Sequence, residues 1–236
     1  MKKINVLSLI LTFFLNSCLS VEEPNIIIPN FVETPEASEL FNTSNFGIYK
    51  GVFVGSSGIV LINLNNNNNN TISASLKIDG VNYIFSTNES ITENQQTEIN
   101  FTNNDNSFVF NVSSTGTDPE ITNLSIQGHP NAETILVKET SERLTKVFEG
   151  TYNGIDNDDA GVFNAIVSGS EMYVLAFSTM YSVFYTANGS VNNENITGVT
   201  STGTNFTGII ENDKMNGSWN NSQSNENGNW NAERSY

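Results

Sequence analysis

From Phe46 onward, short apolar or alternating runs recur about every 10 to 14 residues, separated by Gly, Asn and Asp. That spacing leaves this 236-residue chain few folds to choose from. Clear runs lie at 48–54, 59–64, 72–78, 81–86 and 108–112, and again at 162–167, 172–177, 181–186 and 206–210. Each has the length of a strand and the boundaries of one. No stretch sustains a 3.6-residue apolar period with caps, and the best helical candidate, 140–146, is one or two turns. Pro119 and Pro130 sit beside turn sequences and no proline follows them, as uninterrupted ladders require. The chain reads as all-β.

A repeat divides it. Gly47-Ile48-Tyr49-Lys50-Gly51 and Gly150-Thr151-Tyr152-Asn153-Gly154 share the pattern Gly-x-Tyr-x-Gly, and Gly58 and Gly161 follow at the same distance. The four identities share one offset of 103 residues. This predicts two tandem antiparallel β-meanders, barrel-like, over 45–140 and 145–236, each with room for about eight strands. Closure, or near closure, is expected because an isolated sheet of that size leaves hazardous edges. One long twisted sheet, or one sandwich shared by both halves, is the rival arrangement. The hexa-asparagine run Asn65 to Asn70 falls between two strands and reads as a floppy hairpin loop.

Ahead of the meanders, residues 18–44 carry Pro24, Pro29 and Pro35 among five glutamates and few aromatics, which predicts a flexible, extended tether. Residues 1–17 begin with Lys2 and Lys3, continue as an apolar run of about a dozen residues and end in Ser17, before the sole cysteine, Cys18. The run is short of the roughly 20 residues a transmembrane helix needs and has the layout of a secretory signal. Its end, Leu15-Asn16-Ser17-Cys18, resembles the lipobox of bacterial lipoproteins. The resemblance implies cleavage before Cys18, acylation of that cysteine, and attachment to the outer membrane or cell surface. Two or three acyl chains hold a protein far more firmly than one.

Such cleavage removes two of nine basic residues and none of the 25 acidic ones, leaving a net charge of −18. A surface of that sign repels nucleic acid and anionic headgroups, so the membrane is reached through lipid and nucleic acid is excluded as a partner. With Cys18 acylated no thiol remains, so disulfides and thiolate metal sites are excluded too.

Catalytic signatures are missing. The sole histidine, His129, sits in the turn sequence Gly128-His129-Pro130-Asn131, and no nucleophile elbow marks a serine partner for it. Phosphate loops, dinucleotide fingerprints and Cys/His clusters do not occur, and no cofactor is called for. Asp156, Asp158 and Asp159 alternate before Gly161 like the start of a calcium loop. Ala160 and Val167 then stand where further ligands belong, so the segment reads as an acidic hairpin tip with at most weak divalent binding. Paired carboxylates for glycoside hydrolysis depend on a separation across a cleft that sequence does not display.

Tyr173, Phe177, Tyr181, Phe184, Tyr185, Trp219 and Trp230 form the aromatic set of the second half. Most such rings are needed for the core of a β domain without disulfides. Trp219 and Trp230, with Tyr181 and Tyr185, are the candidates to line a ligand site. The train Phe206-Thr207-Gly208, Gly217-Ser218-Trp219, Gly228-Asn229-Trp230 places glycine two residues from a large ring, which lets a facing ring lie over bare backbone. Over 148–234 this train resembles the meandering β domains of bacterial surface lipoproteins, and it is faintly similar to avidin-like and calycin-like barrels. The resemblance implies architecture alone. The expected role is a non-catalytic binding module for a glycan, an envelope component or a surface protein. The alternatives are a structural envelope lipoprotein, a carbohydrate-active hydrolase or a membrane β-barrel. Against the last, 97–102 and 194–200 are too polar to face lipid.

Overall fold

The computed structural model describes residues 31–155 and 158–236. Sixteen strands account for most of them. In the first half these are β1 (Gly47–Val54), β2 (Ser57–Leu64), β3 (Ile72–Ile78), β4 (Val81–Phe85), β5 (Thr97–Asn103), β6 (Asn106–Val112), β7 (Glu120–Ser125) and β8 (Glu133–Glu139). In the second half they are β9 (Thr145–Gly154), β10 (Ala160–Ser168), β11 (Glu171–Ser178), β12 (Val183–Asn192), β13 (Asn195–Thr200), β14 (Asn205–Glu211), β15 (Lys214–Asn221) and β16 (Glu226–Arg234). Each of the nine apolar runs falls on a strand, the run at 181–186 starting in the turn before β12, and the all-β reading holds. The helical candidate at 140–146 does not. It is a tight turn in which Arg143 N–H donates to the Thr140 carbonyl, followed at once by β9. Few apolar residues in that window could have fixed a helix face.

The second half closes. β9 through β16 form an eight-stranded up-and-down barrel in which β16 returns to pair with β9. The first half has the same cyclic order but does not close. β4-β3-β2-β1-β8 form one sheet and β5-β6-β7 another, joined at one seam by the single bridge Ser86–Thr102. At the other seam the β7–β8 connection drops Ile126 into the core, separating the two strands. The first meander thus falls short of full closure, as two sheets wrapped around one core.

Tyr49 and Phe53 point into that core with Phe85, Phe101, Phe108 and Phe110. The other face of the same strands meets the second barrel: Val52, Val54 and Ile59 pack against Val147, Ile166 and Leu175. Strands β1, β2, β10 and β11 are thus buried on both faces, which is why they read as continuous apolar runs while later strands alternate. Tyr173, Phe177 and Phe184 belong to this seam between the halves. Asn164, fully buried there, donates to the Phe53 carbonyl at 3.0 Å and accepts from Gly150 N–H at 3.1 Å.

Around the rest of the barrel the interior is apolar and the exterior carries Asn, Thr, Ser and Glu. β16, for example, buries Trp230 and Ala232 while exposing Asn229, Asn231 and Glu233. A transmembrane barrel requires the opposite arrangement, with an apolar belt outside.

The expected tether is also corrected. Its residues 31–44 form a strap packed on the fold, while the remainder lies outside the described residues. Arg234, 6% exposed, pairs with Glu33 at 2.7 Å and stacks on Phe31. Glu36 pairs with Lys50, and a single 3-10 turn at Glu39–Phe41 buries Phe41. One asparagine of the hexa-asparagine run grips this strap. Asn66 is buried, accepts from Ser38 N–H at 2.8 Å and donates to the Glu36 carbonyl at 2.9 Å. The loop read as floppy is a clamp, because asparagine offers a donor and an acceptor to an adjacent backbone.

Tyr49, with its hydroxyl buried against the Asn45 carbonyl at 2.7 Å, makes alkaline stability measurable. Burial holds its ionisation well above the ordinary tyrosine range. The unfolded chain loses this proton near pH 10 and the folded chain keeps it. Its contribution is complete below that pH and falls above it by about 1.4 kcal/mol per pH unit. Lys138, which donates to the Phe41 and Ser44 carbonyls of the strap, runs the other way. Burial pushes it down to about 8, so its charging penalty is relieved as pH rises from there toward its unfolded value. Urea midpoints should therefore fall steeply only beyond pH 10, and Tyr49→Phe should flatten that fall. An unchanged slope in the variant would reject the assignment.

Candidate functional site

The two ends of the second barrel differ in their loops. At one end the turns are Gly169-Ser170, Asn193-Glu194 and Asn212-Asp213, two residues each, with positive φ at Gly169, Asn193, Glu194, Asn212 and Asp213. Such turns match strand twist and seal a barrel tightly. Phe148, Val167, Met172, Ile196, Met215 and Ala232 fill the interior. At the other end the connections are longer, four to five residues, at 155–159, 179–182, 201–204 and 222–225. Longer loops at one rim of a rigid scaffold are the usual place for recognition.

That open end holds a cavity of about 230 Å³. Trp230 forms its floor, 2% exposed and stacked on Phe163 with ring centroids 4.7 Å apart. It fits because β14 and β15 are bare beneath it. A Cβ on Gly208 or Gly217 would come within 2.5 or 2.6 Å of the indole ring. Trp219 stands on the wall, edge-on to Tyr152, its indole nitrogen buried without an acceptor among the described residues. Tyr185 lines the wall and Tyr181, 48% exposed, the rim. All four aromatic candidates from the sequence thus border one cavity.

Residues not singled out for this purpose complete it. Thr200, Thr202 and Thr204 supply a hydroxyl edge, with Asn221 and Ser224 beside them. Asp159 is turned inward, accepting from Ser178 Oγ at 2.6 Å and Tyr152 Oη at 3.1 Å. Glu226 is the second carboxylate and accepts from Ser224 Oγ at 2.6 Å. Burial, and after it the charges of Asp159, Tyr181 and Glu226, raises the ionisation of Tyr185 above its ordinary value. Tyr152 is raised chiefly by burial as well. The described lining residues include no Lys, Arg or His. Tyr152 carried a signal, as the centre of the repeated Gly-x-Tyr-x-Gly. The threonines and Glu226 carried none, since polar residues crowd every loop of this chain.

The divalent-metal candidates fare differently. Asp156 lies outside the described residues, Asp158 is exposed, and Asp159 serves the cavity. No group of three His, Cys, Asp or Glu able to hold a metal ion occurs among the described residues. His129 lies far from this barrel in sequence and is half-buried rather than solvent-facing. Its Nδ1 lies 2.9 Å from Ser56 Oγ and its ring packs edge-on against Phe53. No carboxylate hydrogen-bonds to it among the described residues, so the orienting member of a triad is missing there. Cys18 lies outside the described residues.

The cavity can enclose a ring-sized body between aromatic faces and offer carboxylate and hydroxyl oxygens to its polar groups. It contains no activated nucleophile of the Ser–His or Cys–His kind. No family model and no curated protein matches the chain. A solved crystal structure of a surface lipoprotein is similar over 79% of this chain and 98% of that one, at 9% identity and a TM-score of 0.29.

Proposed function

We propose that this is an exported, lipid-anchored envelope protein whose second barrel binds a small ligand, a glycan unit or another envelope component, in its open end. The cavity carries this reading: one concave, largely aromatic site with a few convergent polar groups, on the end of a barrel with the longer loops. The lipobox-like end of the signal supports the anchor, and the inward-facing apolar residues support a barrel that works in water. The shared strand order and the common offset of Gly58 and Gly161 support duplication. The first copy is packed with phenylalanine as a scaffold, and the second uses Ala176 and Ala187 to keep its end open.

Melting-temperature shifts with a panel of monosaccharides, cell-wall fragments and small metabolites test the site. A shift in the wild type that disappears in Trp219→Ala sustains the reading, and no shift with any class overturns it. The anchor is checked separately: metabolic labelling with an alkyne fatty acid should mark the wild type and leave Cys18→Ser unlabelled and released into the soluble fraction. A hydrolase has one observation in its favour, that Asp159 and Glu226 share the cavity. Turnover of a bound glycan abolished by Glu226→Gln would convert the binding protein into an enzyme.

A further inference from the structure

We infer that the ligand of this cavity is a small organic cation, its body held between the aromatic rings and its ammonium group turned toward Asp159 and Glu226. The inference rests on the reading of the open end as a ligand site and adds the ligand's charge.

Five of the lining side chains are Tyr or Trp: Tyr152, Tyr181, Tyr185, Trp219 and Trp230. Their faces carry negative potential and attract ammonium groups, most strongly where water is excluded. Two carboxylates lie among them, and no cationic side chain is present in the described lining. Both carboxylates and Tyr185 line the same cavity. The hydroxyls of Tyr152 and Ser178, both neutral, are among the groups that orient Asp159. An anion entering here meets two like charges lining one cavity. A neutral ligand strips water from the carboxylates and returns no charge to them. A cation answers both the rings and the carboxylates. The protein's overall charge of −16 further raises the local concentration of cations around the opening.

Calorimetric titration of the whole protein with two matched pairs tests this: 2-phenylethylamine against 2-phenylethanol, and glucosamine against glucose. Within each pair the body is constant and the charge changes. The expected result is at least tenfold tighter binding of the amine in the pair whose body fits. Glu226→Gln, with an unchanged melting temperature, should reduce that preference several-fold, and Asp159→Asn should do the same while keeping an oxygen for Tyr152 and Ser178. If the neutral member binds as tightly as the amine, and Trp219→Ala removes both, the charge assignment falls and the ligand site stands. If no member of either pair binds, the charge assignment falls, and the site reading is decided by the wider melting-temperature panel.

Discussion

Glu139→Ala should lower the unfolding free energy by about 3–5 kcal/mol, the cost of stranding a buried charge. The carboxylate is fully buried, and so is its partner Lys50, 2.7 Å away. Its other contacts make it a junction between three parts of the chain. Oε1 accepts from Glu36 N–H of the strap at 2.7 Å, and Oε2 accepts from Thr145 N–H at the first residue of β9 at 2.8 Å. Removing the carboxylate therefore strips the ammonium of its buried partner and orphans two backbone donors at once. Glu36, only partly covered, reaches the same ammonium at 2.9 Å and softens the loss. Two-probe urea denaturation, following tryptophan emission for the second barrel and far-ultraviolet dichroism for the whole, measures it. The paired change Lys50→Met with Glu139→Leu should recover much of the loss, because the desolvation penalty disappears together with the attraction. A single-variant loss below about 1 kcal/mol would show that water reaches this pair.

Trp230→Ala should cost a similar amount, about 3–5 kcal/mol, for a different reason. Here the loss is packing: a whole indole leaves the barrel floor, together with its stack on Phe163 and its edge contact with Phe206. Strands β14 and β15 stay bare beneath it, so their glycines give the site no side chain with which to collapse. Trp219→Ala should be milder, because that ring is only partly buried and its indole nitrogen has no acceptor among the described residues to lose. The two tryptophans thus separate stability from binding. The first variant should melt far lower, and the second should melt near the wild type yet lose the ligand. Equal stability losses in the two would mean that Trp219 is structural core rather than the wall of a site.

Nine of the sixteen strands and the boundary between the halves follow from local pattern, because a strand announces itself through period-2 burial and turn residues at its ends. Trp219 and Trp230, which border the cavity, stand out as large rings two residues after a strand glycine. What the pattern leaves open is which face meets which surface. Tyr173 and Phe177 look no different from Tyr185 on paper. The first two lie on the outer face of β11, against the other half, and the third lines the cavity. The strap was hidden for the same reason. Its prolines and glutamates have the composition of a free linker, and the partners that bind it, among them Arg234, Asn66, Lys50, Lys138 and Glu139, are distant in sequence. Closure is likewise a long-range matter, decided by whether β16 finds β9 and whether β8 finds β7. By itself, then, the sequence determined most of the strands, their tandem halves and the stock of rings. The tertiary structure alone decided that one half closes, that one end stays open, and that two carboxylates share it. Those outcomes depend on contacts between residues far apart in the chain, about which local periodicity carries no information.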